Sequence, residues 1–509
     1  MRTFVDLLRQ RRQNDGDQVF LLFDDAERTW AQTVGIVARL ARLLEHRGVE
    51  PGARVLLACE NSPTFLYGWF ALRWLGATCV PLHTGATDAS IAAMVSNADI
   101  RVVLGDAALV GRVVRACPEV GERTLVFTDF HELESTVAHL DEAEPRAAHP
   151  ADECSILYTS GTTGVPKGVV LSEQSFVSGG SLLASSIGID GNDRILVALP
   201  LFHTNPQVYA VSVALTTGCS LVVLPEFKPA ELIAQAARYG ATGFTYVGTL
   251  LHLVLAKTSG DPRTTLRFCA GGGASPDVWR RVEERFGVTV HELYGMTEVG
   301  GWVTVTEAAS ARIGFCGRAR PDVDLAIVDE DDNLLDAEKV GQIVVRPREP
   351  SVIFDGYNGR PELTLSKYRN LWFHTGDLGS LTSDGYLRFL GRTDDVIRRG
   401  GENVAPSDIE AVVRDHPAVA EVAVVGVADD VMGQEVKVVL VMRPGHRVDA
   451  EEIFNMLADR LPRFARPRYL ELRDSLPRTA THKVRLNELR NIDGSTVFDR
   501  RRPNTITAM

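Results

Sequence analysis

Apolar residues recur along this chain at two spacings. Near the start, Phe4, Leu7 and Leu8 fall on one helical face, and Trp30 to Leu44 carries a longer amphipathic pattern, with a hairpin between them. Arg54–Cys59 is a short apolar run that predicts a buried strand. Pro63 to Leu75 predicts a helix stopped at Gly76, and Ala77–Pro81 and Arg101–Leu104 are the next strands. Strand-like runs return at 124–128, 155–158, 169–171, 194–198 and 220–224. Strands alternating with helices predict a mainly parallel sheet with helices on both faces. Farther on, Leu266–Ala274 is a strand entering a glycine turn. Ser275 or Pro276 opens a helix over Asp277–Phe286, and Val288–Leu293 is a strand. A smaller α/β pattern closes the chain, with a helix over 407–416 and strands over Glu421–Val427 and Glu435–Val441.

A chain of 509 residues is too long for one core and predicts two or three domains. Its 45% hydrophobic and 24% charged residues are ordinary for a globular protein. The net charge of −12 argues against general binding to nucleic acid or membrane surfaces. The cysteines at 59, 79, 117, 154, 219, 269 and 316 are scattered and form no CxxC, which predicts reduced thiols in the cytoplasm. The N-terminus lacks the apolar core of a signal peptide, and no apolar run is long enough to span a bilayer. Lysine is confined to positions 167, 228, 257, 339, 367, 437 and 483, so a lysine inside a glycine loop stands out.

That loop lies in Tyr158–Ser172. Hydroxyl residues and glycines crowd between two strand-like runs: Thr159, Ser160, Gly161, Thr162, Thr163 and Gly164, followed by Lys167. Glycines let backbone N–H groups approach a ligand, and the hydroxyls and Lys167 add donors and charge, a chemistry suited to a polyphosphate. It is not a Walker loop, because Lys167 follows Pro166, precedes Gly168 and leads into a strand. Downstream, Gly271, Gly272, Gly273 and Ala274 would let a flat ring lie against backbone. Tyr294 offers a stacking face, Thr297 a hydroxyl for a phosphate, and Glu298 a hard oxygen ligand for Mg²⁺. Asp377, in Trp372–Asp377, suits the paired hydroxyls of a ribose. His203, in Leu199–Pro206, follows a strand at the sheet edge where ligands bind; alone, it reads more simply as a structural histidine.

Together these segments resemble the motifs of the adenylate-forming superfamily, in order and at sensible spacing over residues 1–490. Tyr294–Glu298 and Arg399–Asn403 are most similar to the acyl-CoA synthetase branch, including the crotonobetaine/carnitine-CoA ligase type. The resemblance implies an α/β fold: a large N-terminal domain (1–392) of mainly parallel sheets flanked by helices plus a distorted barrel. It implies a hinge at 393–394 with Asp394 as pivot, a smaller mobile α+β C-terminal domain (395–493), and a loosely ordered tail (494–509) whose Arg500–Arg502 run is solvated. It implies ATP, Mg²⁺ and coenzyme A as cofactors and a small carboxylic acid as substrate, and it admits a homodimer. Activation to an acyl-adenylate would be followed by thioester formation.

On the same resemblance, Thr162 and Glu298 hold the metal and Lys483 bridges acyl carboxylate and α-phosphate. Glu292, Gly295 and Met296 join the nucleotide site, Arg392 contacts ribose or phosphate, and Gly400 and Gly401 line the pantetheine tunnel. His203, Phe244, Tyr246, Gly248, Gly271, Gly300, Gly301 and Trp302 line the acyl pocket, with small residues at 271–273 and 300–301 leaving room for more than acetate. One position departs: His482 stands where the family usually has Gly before the late lysine. A stand-alone adenylating enzyme serving a carrier protein or partner enzyme, and a catalytically silent nucleotide-binding homologue, are the alternatives.

Overall fold

The computed structural model describes residues 2–159, 166–260, 264–393, 395–400, 402–404, 406–446, 449–478, 484–492 and 497–501. Contacts divide the chain into two compact units. One comprises Met1–Leu325, Val345–Phe373 and Gly385–Leu387; the other comprises Ala326–Val344, His374–Asp384 and Arg388–Met509. The grouping therefore does not follow the linear boundary expected at 392. Ala326–Val344 and His374–Asp384 group instead with the C-terminal residues. Among the described residues, no helix is long and apolar enough to cross a membrane.

The first unit holds two large sheets. One runs Gly356–Tyr357, Lys167–Ser172, Glu153–Thr159, Thr78–Pro81, Arg54–Ala58, Val102–Asp106, Thr124–Phe127. Its last five strands are parallel, as the alternating pattern predicts, and its first three pair antiparallel. The other sheet has nine strands: Arg318–Ala319, Thr304–Val305, Thr289–Tyr294, Phe268–Gly272, Gly243–Val247, Arg194–Val197, Ser220–Val223, Val19–Phe23, Ala26–Thr29. Its central strands are parallel. Asn61 stitches the two sheets at the C-terminal ends of their strands. Its Nδ2 donates to the carbonyls of Leu199 (3.0 Å) and Leu224 (3.2 Å), and its Oδ1 accepts from the Leu201 N–H at 2.8 Å. Loops that follow parallel strands are thereby gathered at one edge, where open α/β sheets bind ligands.

A five-stranded sheet has the order Val323–Val328, Gly341–Pro347, Trp372–Leu381, Tyr368–Arg369, with Leu387–Arg392 on Trp372–Leu381. The second unit contains a six-stranded sheet built on Gly433–Met442 and helices Pro406–Arg414 and Ala450–Arg460. Part of the tail expected to be loose is ordered. Val497–Asp499 pairs antiparallel with Tyr469–Arg473, Phe498 packs on the core, and Arg501 meets the buried Glu435 at 2.6 Å. Two apolar residues are too few to signal a strand in sequence, and the buried carboxylate that Arg501 neutralises lies 66 positions away.

A buried ion pair ties the first unit together. Arg73 and Glu173 are both inaccessible to solvent and meet at 2.6 Å. Arg73 also donates to the carbonyls of Ala77 (2.6 Å) and Glu153 (2.9 Å), and the Phe4 N–H donates to Glu173 Oε2 at 2.6 Å. One contact set thus joins the N-terminal helix Phe4–Asn14, the helix Pro63–Trp74, the strand Glu153–Thr159, and the helix Glu173–Ile187. Removing one partner leaves the other charged, buried and unpaired. Glu173→Gln should therefore lower stability by about 4 kcal/mol in urea unfolding, and Arg73→Met with Glu173→Leu should recover most of that loss. A single variant as stable as the wild type would contradict this account.

Candidate active site

The strands flanking the glycine loop form a hairpin with Thr159 opposite Lys167, so the loop leaves and returns at one point. Ser160, Gly161, Thr162, Thr163 and Gly164 lie outside the described residues, as do Asp394, Gly401, His482 and Lys483. Both feet of the loop are tied to one pair of asparagines. The Tyr158 hydroxyl donates to Asn97 Oδ1 at 2.6 Å. Asn358 donates from its backbone to Gly168 O at 2.8 Å and from Nδ2 to Asn97 O at 2.7 Å. Asn358 belongs to a segment laid along the returning strand, Gly356 opposite Val170 and Tyr357 opposite Val169.

The Tyr294–Glu298 turn meets the same segment. Gly295 lies so close to the Gly301 carbonyl that a Cβ would sit 2.3 Å from it, which explains the glycine. Thr297 Oγ1 accepts from the Thr204 hydroxyl at 3.0 Å. Met296 is half-buried, and Tyr294 is buried. Glu298 is also buried, and two donors grip it: the Phe354 N–H reaches its backbone carbonyl at 2.9 Å, and the Tyr357 hydroxyl reaches Oε1 at 2.8 Å. Among the described residues, no hydrogen bond reaches Oε2. Lys167 Nζ lies 5.8 Å from the centroid of the Tyr357 ring. The cation expected to face phosphate and the carboxylate expected to face a metal therefore flank one tyrosine. Burial and the neighbouring Glu298 push the Tyr357 phenol far up, so it remains a donor. Sequence reading missed Tyr357, because a lone Tyr beside Gly carries no chemical signal until strand pairing sets it across from Val169.

On the neighbouring strand ends, Glu292 shapes the glycine turn. Its Oε1 accepts from the N–H groups of Gly273 (2.5 Å) and Ala274 (3.2 Å), and its Oε2 lies 2.5 Å from the Tyr246 hydroxyl. Burial pushes this carboxyl from the usual 4.5 to about 7, against hydrogen bonds that pull it down. Glu292 thus holds the backbone of Gly273 and Ala274 from behind. The room expected at several glycines is taken by backbone. A Cβ on Gly248 would lie 1.9 Å from Gly273 O, one on Gly271 2.0 Å from Tyr246 O, one on Gly272 2.7 Å from Leu293 O, and one on Gly300 2.8 Å from Val352 O. These glycines serve close approach of strand ends and turns, which a sequence cannot distinguish from open space.

The other expected acyl-pocket residues differ in their surroundings. Phe244 and Tyr246 belong to a hydrophobic core cluster, and Trp302 is inaccessible, with Nε1 donating to Gly179 O at 3.0 Å. Gly301 faces side chains, Thr204 and Val208. His203 is half-buried in a ring cluster with Phe202 (centroids 4.5 Å apart) and His83 (5.8 Å). His83, not singled out from sequence, accepts from the Gly85 N–H through Nδ1 at 3.0 Å, and burial lowers its pKa.

In the second unit, Asp377 is buried and its N–H donates to Thr375 Oγ1 at 3.1 Å. Arg392 Nε lies 3.6 Å from Asp377 Oδ1, so the two expected ribose contacts are neighbours. Gly400 turns a hairpin at φ +59°, donates to Met432 O at 2.8 Å, and has Met432 Cε only 2.6 Å from where a Cβ would stand. Arg399, just before it, pairs with the inaccessible Glu435 at 2.6 Å.

Known proteins share this chain's sequence pattern and fold. The AMP-binding enzyme family matches residues 8–357, and the AMP-binding enzyme C-terminal domain matches residues 408–483. The long-chain-fatty-acid–CoA ligase FadD13 of Mycobacterium tuberculosis is 31% identical over 93% of this chain and 94% of its own length. The crotonobetaine/carnitine–CoA ligase of Salmonella typhi is 27% identical over 92% of this chain and 95% of its own. ATP-bound MatB from Rhodopseudomonas palustris superposes with a TM-score of 0.89 at 29% identity, covering 96% of this chain and 98% of that one. The chain belongs to the AMP-binding enzyme family.

Proposed function

We infer that this protein is an AMP-forming acid–thiol ligase. An oxygen of a carboxylic acid attacks the α-phosphorus of ATP, the bond to the β-phosphate oxygen breaks, and pyrophosphate leaves. The thiolate of coenzyme A then attacks the acyl carbon and AMP departs. The observation that carries the reading is the convergence of Lys167 and Glu298 on Tyr357, next to a glycine turn whose backbone is preset by Glu292. The first step needs positioning and charge neutralisation more than covalent catalysis.

A divalent cation fits the donors at this place, because Glu298 offers a hard oxygen that accepts no hydrogen bond among the described residues. Glu298 and the Thr162 hydroxyl would hold Mg²⁺, which neutralises phosphate charge when bound with ATP. Residues 159–164 and Lys167 would bind the β- and γ-phosphates, and Gly272–Ala274 and Tyr294 would bind the base. Asp377 and Arg392 would hold the ribose, and Lys483 would steady the α-phosphate and acyl carboxylate. Rotation about Asp394 would exchange Lys483 for Gly400 and Gly401, which leave a passage for pantetheine. His203, with Phe202 and His83 beside it, would meet the acid. All seven cysteines are buried free thiols, which supports the reducing cytoplasm as its compartment.

Pyrophosphate release from ATP with a panel of acids, with and without CoA, tests the function. Thioester formed only with CoA supports the ligase. Acyl-AMP accumulating despite CoA points to a carrier protein or partner enzyme as acceptor, and no release with any acid points to a silent homologue. Lys483→Ala should lower pyrophosphate release by about a hundredfold or more, yet still convert supplied acyl-AMP and CoA to thioester. Equal loss in both half-reactions would remove Lys483 from this role.

Glu292 makes the nucleotide turn sensitive to pH. Its folded-state value of about 7 lies above the ordinary 4.5, so its contribution to stability is complete below the lower value and lost as pH rises through the upper one. The stability difference between wild type and Glu292→Gln, from urea unfolding, should shift against the wild type by about 2–3 kcal/mol between about pH 5 and about pH 8. A pH-independent difference would mean that Glu292 is ionised throughout.

A further inference from the structure

We propose that Tyr357 is a positioning residue for the metal–phosphate site, joining Lys167 and Glu298 so that cation and polyphosphate are received in one geometry. The proposal rests on the nucleotide reading of that site and goes beyond the contacts that reading assigns.

Tyr357 touches both groups by different parts of one side chain. Its hydroxyl donates to Glu298 Oε1 at 2.8 Å, and its ring lies beneath Lys167 Nζ at 5.8 Å. The hydrogen bond is buried, with Tyr357 5% and Glu298 8% exposed. By occupying Oε1, the phenol leaves Oε2, which accepts no hydrogen bond among the described residues, to face a ligand, and it restricts rotation of the carboxylate. The ring face attracts the ammonium and limits where a flexible lysine rests.

The backbone makes Tyr357 a fixed point. It pairs with Val169 on the strand that begins at Lys167, and its N–H donates to Thr364 Oγ1 at 2.9 Å. Three residues earlier, Phe354 holds the Glu298 carbonyl at 2.9 Å, and its ring packs 5.2 Å from that of Tyr357. The segment Phe354–Asn358 therefore fastens the lysine's strand and the glutamate's turn to one another. Carboxylate and ammonium would otherwise each sample several rotamers, and ordering them would oppose binding of the metal nucleotide.

The test separates hydroxyl from ring. Tyr357→Phe deletes only the hydrogen bond to Glu298, and Tyr357→Leu deletes the ring contact to Lys167 as well. Mn²⁺ binding to each protein with a non-hydrolysable ATP analogue is read by electron paramagnetic resonance, and analogue binding without metal is read by calorimetry in chelator. Tyr357→Phe should weaken Mn²⁺ binding by about tenfold while metal-free nucleotide affinity stays within about twofold, and Tyr357→Leu should weaken both. Glu298→Gln is the reference. If it abolishes the Mn²⁺ signal while Tyr357→Phe binds Mn²⁺ like wild type, the nucleotide reading stands and this proposal falls. Equal loss by Tyr357→Phe with and without metal would also overturn it, since that marks general damage. If wild type binds no more Mn²⁺ with the analogue than the analogue does alone, the reading of the site itself fails, and the proposal with it.

Discussion

The inaccessible Arg73–Glu173 pair is the interaction on which the first unit depends. Moving two charges out of water is costly, and further hydrogen bonds offset part of that cost. Here the surroundings supply the carbonyls of Ala77 and Glu153 and the N–H of Phe4, while Arg73 Nη2 stays buried with no hydrogen bond among the described residues. The pair therefore works only when the N-terminal helix, the strand Glu153–Thr159 and the helix after the glycine hairpin are all in place. Glu173 begins that helix directly after Ser172, the end of the strand that Lys167 opens, so the anchor and the candidate phosphate site share one short stretch of chain.

From that anchor, geometry passes outward through backbone as much as through side chains. Asn61 gathers loops of two sheets to one edge, and the asparagines at 97 and 358 brace both feet of the glycine hairpin. Glu292 presents two N–H groups of the 273–274 turn by holding them from the inner side. Functional groups on loops are positioned here by polar side chains that would not themselves touch a ligand. Preorganisation of this kind suits a reaction in which orientation and charge placement supply most of the rate.

The second unit repeats the use of buried charge. Lys437 and Glu471 meet at 2.6 Å with almost no exposure, and Glu435 is neutralised by Arg399 and Arg501. Arg399 immediately precedes the Gly400 turn, and its Nη1 also donates to Phe464 O at 2.8 Å. The hairpin expected to meet pantetheine is therefore held from its base, and Gly400 takes the left-handed φ of +59° that favours glycine.

Much of this protein was determined by local pattern. Alternating strand and helix periods specified the parallel sheets, Ser275 capped the helix it was expected to open, and the glycine loop, the Tyr294–Glu298 turn and Asp377 carried the family resemblance within short stretches of chain. Those features were legible because each lies within a few residues of chain, where period and composition act. Tertiary structure alone decided the rest. Tyr357 became part of the site through pairing with Val169, 188 positions away. Glu292, expected in the nucleotide site, accepts from the N–H groups of Gly273 and Ala274. Gly271 and Gly272, expected to leave room, proved to be points where backbones closely approach. Val497–Asp499 became a strand because an edge and a buried carboxylate awaited it. In each case the deciding partner is distant in sequence, and neither residue of the pair carries a signal of the other until the chain has folded.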